Sequence, residues 1–163
     1  MDDSHRELER ELWEAIDDSP FMMLGLKGSG YTRPMTAQVD DDKRIFFFAS
    51  RTEELVKNLS QSDEASAAYA SKGHDFFASI SGRLVMHTDR AKVDELWNPM
   101  IATYYGDGGK DDPDLVLLRF DATRADVWKA GAGSMLKAVW IKLTGGDPGE
   151  DLDNDENRAE LAL

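Results

Sequence analysis

The stretch Ile45–Leu59, "IFFFASRTEELVKNL", changes period part-way along, and the change decides the fold. Ile45 to Phe48 are β-branched or aromatic without a break, as in a strand. From Thr52 onward Leu55, Val56 and Leu59 fall on one helical face, so a helix is predicted over 52–61. Between strand and helix lies the hydroxyl-bearing turn Ser50-Arg51-Thr52. Two readings of that turn compete. Ser50 and Glu53 form the S-x-x-E spacing of a capping box, in which side chains satisfy the first free N–H groups of the helix. The same free N–H groups and the positive end of the helix dipole suit a phosphate, although Glu53 and Glu54 oppose one.

Outward from this turn the chain is rich in short strands. Residues 4–17 read as an amphipathic helix, with Leu8, Leu12 and Ile16 at four-residue spacing. Strands are predicted over 21–27, 33–40, 44–49, 65–71, 75–88, 115–122 and 125–130, with Gly82 a bend or bulge in the longest. The segment 89–105 begins with a helical pattern that Asp89 can cap and that ends at Trp97, just before a proline. Residues 106–114, "GDGGKDDPD", read as a polar loop, and 133–146 as a short helix carrying Trp140. Strands and helices do not alternate as β-α-β, so a doubly wound parallel sheet is excluded. A mainly β fold, an antiparallel barrel with flanking helices, fits best.

Charge separates the ends from the body. The net charge is −13 over 163 residues. Residues 1–18 carry −6 and residues 145–163 carry −6, leaving −1 for the 126 residues between. A domain over 1–146 and an acidic, solvated tail over 147–163 follow. A nearly neutral body lacks the basic face that nucleic acid requires. The charged start is no signal peptide, no apolar run is long enough to span a membrane, and there is no cysteine. A cytoplasmic protein without disulfides is expected.

Motifs for metal or hydrolytic chemistry fail on inspection. "DLDND" (151–155) begins like a calcium loop, but Glu156 and Ala162 stand where glycine and glutamate are needed. His5, His74 and His87 are too scattered for zinc, so no metal is expected. The serine-hydrolase elbow and the glycine-rich nucleotide loops are absent. Among the four tryptophans, Trp13 and Trp140 read as packing residues, Trp97 as core or interface, and Trp128 as core or a stacking surface.

The series "RPMT", "FFFAS", "SISGRLVM", "LWNP", "GGKDDPD…LLR" and "ADVW" resembles the general stress protein 26 family, among the pyridoxamine 5′-phosphate oxidase-like flavin-binding split barrels. The likeness runs from about residue 5 to 144, and the closing "DENRAELAL" is also similar. It implies a six-stranded antiparallel split β-barrel with peripheral helices, and a homodimer that binds FMN, or in some members FAD, in two clefts at the dimer interface. It places Arg33 at the flavin phosphate, the backbone of Met35 and Thr36 along the ring, and Ala49, Ser50 and Arg51 around the phosphate. Trp128 corresponds to an aromatic that reaches the flavin from the partner subunit. Relatives carry an Arg-Lys pair where this chain has Glu54 and Leu55, and Lys57 is the candidate replacement. The segment "KAGAGSML" (129–136) lacks the arginines that hold the vitamin in true oxidases. The resemblance therefore implies a flavin-dependent oxidoreductase acting on some other small molecule, with no catalytic side chain evident. The alternatives are a flavin carrier or sensor without turnover, and a barrel that has lost its cofactor.

Overall fold

The computed structural model describes residues 3–60, 62–87, 89–130, 136–143 and 160–162. The aromatic run of the quoted stretch shows why the sheet closes. Strand β4 (Ile45–Ser50) is buried on both faces. Ile45, Phe47 and Ala49 enter the main core, while Phe46 and Phe48 join a second cluster with Val93, Ile101 and Leu117. A strand covered on both sides needs no polar face, so its apolar run is continuous rather than alternating.

The other strands alternate. In β1 (Phe21–Leu26), Met22 and Leu24 are buried while Phe21 and Met23 are exposed. The segment read as one strand over 33–40 is broken at Ala37 into β2 (Arg33–Thr36) and β3 (Gln38–Val39). There the Ala37 N–H leaves the ladder and donates to Pro20 O at 2.7 Å. β2 pairs with β1 and β3 pairs with β4, both antiparallel. One run of chain thus touches both edges of the sheet β1-β5-β6-β7-β4, and the path β2-β1-β5-β6-β7-β4-β3 closes on itself. With β2 and β3 taken as that single run, the barrel has the six strands that the resemblance implied.

β5 (Ser62–Ala70) and β6 (Phe76–Met86) pair along their whole lengths. β7 (Leu115–Ala130) is one strand where two were predicted. Its register with β6 skips Thr123, since Gly82 faces Ala122 and Ser81 faces Arg124. The extra residue is a bulge, so the inward set changes phase from Val116, Leu118, Phe120 and Ala122 to Ala125 and Val127 without a break in the ladder. A Cβ on Gly82 would collide with Asp121 O and Ala122 Cα, so only glycine fits opposite the bulge. At the same point β7 changes neighbour: β4 pairs with its first half and β8 (Leu136–Lys142) with its second. This divergence of β4 and β8 is the split in the barrel.

β8 corrects the helix predicted over 133–146. Its pairing with β7 satisfies the backbone of Leu136–Lys142, and Trp140 lies on that strand with the Arg124 guanidinium 4.6 Å from its ring centre. β9 (Glu160–Ala162) adds to β8. The rest of the acidic tail, including the calcium-like 151–155, lies outside the described residues.

The helices plug and cover the barrel. α1 (Asp3–Asp18) sends Leu12, Trp13 and Ile16 into the main core, and the Tyr69 hydroxyl donates to Ala15 O. The quoted helix is shorter than predicted, α2 being Glu54–Asn58. The pattern at 89–105 is two helices, α3 (Arg90–Leu96) and α4 (Pro99–Tyr105). Pro99 cannot continue α3 and instead opens α4, while Asn98 Oδ1 accepts from the Ile101 N–H at 3.1 Å. Asp89 caps α3 as predicted, accepting from Ala91 N. The polar loop contains a 3₁₀ helix, Gly106–Asp111.

Candidate functional site

The capping box at Ser50 and Glu53 does not form. Ser50 Oγ instead lies 2.8 Å from Thr52 Oγ1 and accepts from Thr52 N at 3.3 Å. Glu53 is itself the residue that precedes α2, and its side chain makes no cap bond. The carboxylate is used elsewhere. Its Oε2 stands 3.0 Å from Nη1 of Arg33 on β2, with the two side chains 22% and 28% exposed.

That ion pair lies in a cleft of ≈ 390 Å³ between the β1–β2 edge and α4, lined by Phe21, Arg33, Pro34, Met35, Thr36, Phe48, Glu53, Ile101, Tyr104 and Tyr105. Strand alternation assigns the parts: Met35 turns its side chain into the barrel core, and Pro34 turns outward. Phe48 comes from the outer face of β4 and packs edge-on against Trp97, with ring centres 5.4 Å apart. Trp97 in turn contacts Tyr105 at 6.0 Å. Trp97 is thus a wall residue behind the cleft, and it orients two aromatic rings that face it.

The pair is close but poorly aligned. Arg33 Nε and Glu53 Oε2 are both buried and neither has a hydrogen-bond partner. Buried polar atoms are nearly always satisfied, so two orphans on residues that line one cleft mark a place where a ligand could bind once the pair parts. The Nε edge of a guanidinium offers parallel donors to an oxyanion, which a phosphate would fit. Glu53 would repel that phosphate. Tyr105 keeps its proton, because burial and then the nearby Glu53 charge push its hydroxyl above the ordinary tyrosine range.

Of the residues singled out from sequence, Arg33, Met35 and Thr36 line this cleft together. The others stand apart from it. Ala49 is fully buried in the barrel core. Ser50 lies at the end of β4, and Arg51 is exposed, its N–H donating to Asp114 O. Lys57 is exposed in α2, and Glu54 is exposed beside it, while Leu55 is in the core. Trp128 sits on β7 opposite Phe77, half-buried. Sequence reading did not single out Phe48, Tyr104 or Tyr105, and it weighed Glu53 as a capping acid and as a charge opposing a phosphate at the Ser50 turn, never as the partner of Arg33. Glu53 carries a capping signature, and nothing local ties it to an arginine twenty positions earlier.

A larger hollow of ≈ 630 Å³ opens at the other end of the β1–β2 hairpin, beside Lys27, Tyr31, Glu64 and Arg83. Its charged groups are already partnered, Lys27 with Glu64 at 2.9 Å and Arg83 with Ser62. The smaller cleft, with its unsatisfied atoms, is the stronger candidate. Among the described residues no group of three His, Asp or Glu side chains could hold a metal, and no helix is long and apolar enough to cross a membrane.

A curled six-stranded antiparallel barrel that splits where β4 and β8 diverge, with an aromatic cleft against its β1–β2 edge, defines the split-barrel class. The chain belongs to the pyridoxamine 5′-phosphate oxidase-like family, whose model matches residues 7–147. Solved structures similar to it include general stress proteins. One from Xanthomonas campestris pv. campestris is 47% identical, with 82% of this chain and 93% of that one covered and a TM-score of 0.74. The general stress FMN/FAD binding protein of Xanthomonas citri is 45% identical over 78% of this chain and 92% of that one, with a TM-score of 0.73. A general stress protein 26 from Jannaschia sp. CCS1 is 31% identical over 78% and 82%, with a TM-score of 0.70. No curated protein matches the chain.

Proposed function

We propose that this protein is a cytoplasmic homodimeric flavoprotein that holds FMN, or alternatively FAD, and serves as an oxidoreductase toward a small molecule other than pyridoxamine phosphate. The observation that carries the reading is the orphaned, buried Nε of Arg33 in an aromatic-walled cleft on β2. The 45% identity to a protein described as FMN/FAD binding supports the same ligand. A bound flavin would supply the electron transfer. The protein would supply orientation and exclusion of water. Arg33 would hold the phosphate, the backbone at Met35 and Thr36 would border the ring, and Phe48 and Tyr105 would wall the cleft against solvent.

Dimerisation is supported by the outer face of the sheet. Phe21 and Met23 are 50% and 39% exposed there. Met23 lies opposite Ala68, and Ala70 opposite Phe77, which faces Trp128. The face thus carries an apolar strip, Phe21, Met23, Ala68 and Ala70 with Phe77 and Trp128 beyond, bordered by Ser79 and Asp126. Such a surface is poorly suited to water and well suited to a second copy. It would also bring the Trp128 of one protomer toward the β1–β2 edge of the other.

The test is the visible spectrum of protein purified without added flavin, followed by FMN titration read by flavin fluorescence. Saturable binding at one flavin per chain is expected, with reversible bleaching by a reduced nicotinamide under nitrogen. A colourless protein that fails to bind FMN at high micromolar concentration would overturn the flavin reading. Binding with bleaching by chemical reductant alone would favour a carrier or sensor, the second reading.

A further inference from the structure

We infer that Glu53 is an internal competitor for Arg33, a carboxylate that an incoming phosphate must displace and that sets how strongly the cleft prefers a phosphorylated flavin over an unphosphorylated one. The inference rests on the flavin reading but concerns what this chain does to it.

Three observations combine. The Glu53 carboxylate is in ion-pair contact with Arg33, its Oε2 lying 3.0 Å from Nη1, and both side chains are largely buried. The contact is misaligned, leaving Arg33 Nε and Glu53 Oε2 without hydrogen bonds. Both groups line one open cleft large enough for a ligand. A well-made structural salt bridge between Arg and Glu is bidentate and satisfies both partners. This one neutralises the guanidinium while leaving its best hydrogen-bonding edge unfilled.

That arrangement makes the cleft selective in a definite direction. A phosphate dianion reaches the buried Nε edge only when the pair parts; it then gains two charge-assisted bonds but comes beside a carboxylate in a partly desolvated site, where like charges repel strongly. A ligand without phosphate makes no such approach. Glu53 therefore lowers the affinity for FMN and leaves riboflavin nearly untouched. Glu54, the other acid of this segment, is exposed on α2 and outside the cleft, so it lacks this effect.

The experiment compares FMN and riboflavin by fluorescence titration on wild type, Glu53→Gln, Arg33→Ala and Glu54→Gln. Inorganic phosphate is used in parallel as a ligand for thermal stabilisation. Glu53→Gln preserves shape and a hydrogen-bonding head, and thermal melts confirm that it folds. It should tighten FMN by about tenfold or more, as a repulsion is removed and a fork is freed, with riboflavin changed by less than about threefold. Phosphate should stabilise Glu53→Gln more than wild type. Arg33→Ala should lose the preference for FMN, and Glu54→Gln should change it by less than about threefold. Equal changes for both flavins, or none, in Glu53→Gln would overturn the inference while leaving flavin binding intact. Weaker binding of both flavins by Glu53→Gln would also overturn it, because Glu53 would then be a ligand contact. If no form binds flavin but phosphate selectively stabilises Glu53→Gln, the flavin reading fails and the competition stands. If neither flavin nor phosphate acts on any form, both fail.

Discussion

Asp40 shows how much a single buried carboxylate can organise. It accepts from the backbone N–H groups of Asp42 and Arg44 and meets Arg44 Nε at 3.1 Å and Lys92 Nζ at 3.2 Å. It thereby ties the β3–β4 turn to α3. Burial favours its protonated form, but the Arg44 N–H and the Lys92 and Arg44 cations outweigh burial and hold its pKa below the usual 3.8. Asp40→Ala should cost about 2–4 kcal/mol in urea unfolding at neutral pH, since two N–H groups lose their acceptor and Arg44 and Lys92 are left with the more exposed Asp42 and Glu95. A depressed carboxylate stabilises above its unfolded pKa and ceases to do so as pH falls through the folded value. The difference between wild type and Asp40→Ala should therefore shrink below about pH 4. A difference constant down to pH 2 would show that the charge is irrelevant. His87 shifts in the same direction for another reason. Burial, then the Arg119 cation, lower its pKa from 6.5, partly offset by Asp89. The neutral ring is the native one, so stability should fall as pH drops below about 6.5, and His87→Gln should flatten that slope. An unchanged slope in the variant would assign it to other groups.

At the scale of elements, the β6–β7 pair is the spine of the barrel, and its bulge is its most constrained point. Gly82 lies against Asp121 O and Ala122 Cα, which are backbone atoms and cannot rotate away. Gly82→Ala should cost about 1–3 kcal/mol, read as a lower Tm, by forcing β7 away from β6. Unchanged stability would mean that the bulge can migrate. The elements also show what periodicity reveals. β4, α1 and the Asp89 cap were legible because one local pattern decided each. β8 was not, because "LKAVWIK" fits a helix as well as a strand, and only the free edge of β7 resolves the choice. Over 89–105 the end of the first helix at Trp97, just before the proline, was legible, but the second helix that Pro99 opens was not.

For the whole molecule, the outer face bearing Phe21, Met23 and Ala68 should be the dimer interface. Light scattering should give about twice the 18.2 kDa chain mass at micromolar concentration. Met23→Glu places a charge on that face and should yield monomers, with FMN affinity falling alongside if Trp128 of the partner closes the cleft. A wild type that runs at the mass of one chain would remove the dimer proposal. A monomeric variant with full FMN affinity would confine the site to one protomer.

The sequence by itself determined the class of fold and one half of the site. Strand periods and the apolar run at Ile45–Phe48 are local, so an antiparallel barrel could be read without coordinates, while the expected place of Arg33 came with the family resemblance that the "RPMT" series carries. The partner of Arg33 could not. Glu53 is four residues from Lys57 and three from Ser50, and spacing alone made it a capping acid. Only the closing of β2 against β1, with β4 and α2 brought alongside, carries Arg33 to 3.0 Å from that carboxylate. A helix cap depends on neighbours in the chain, whereas an ion pair across a cleft depends on where the barrel closes.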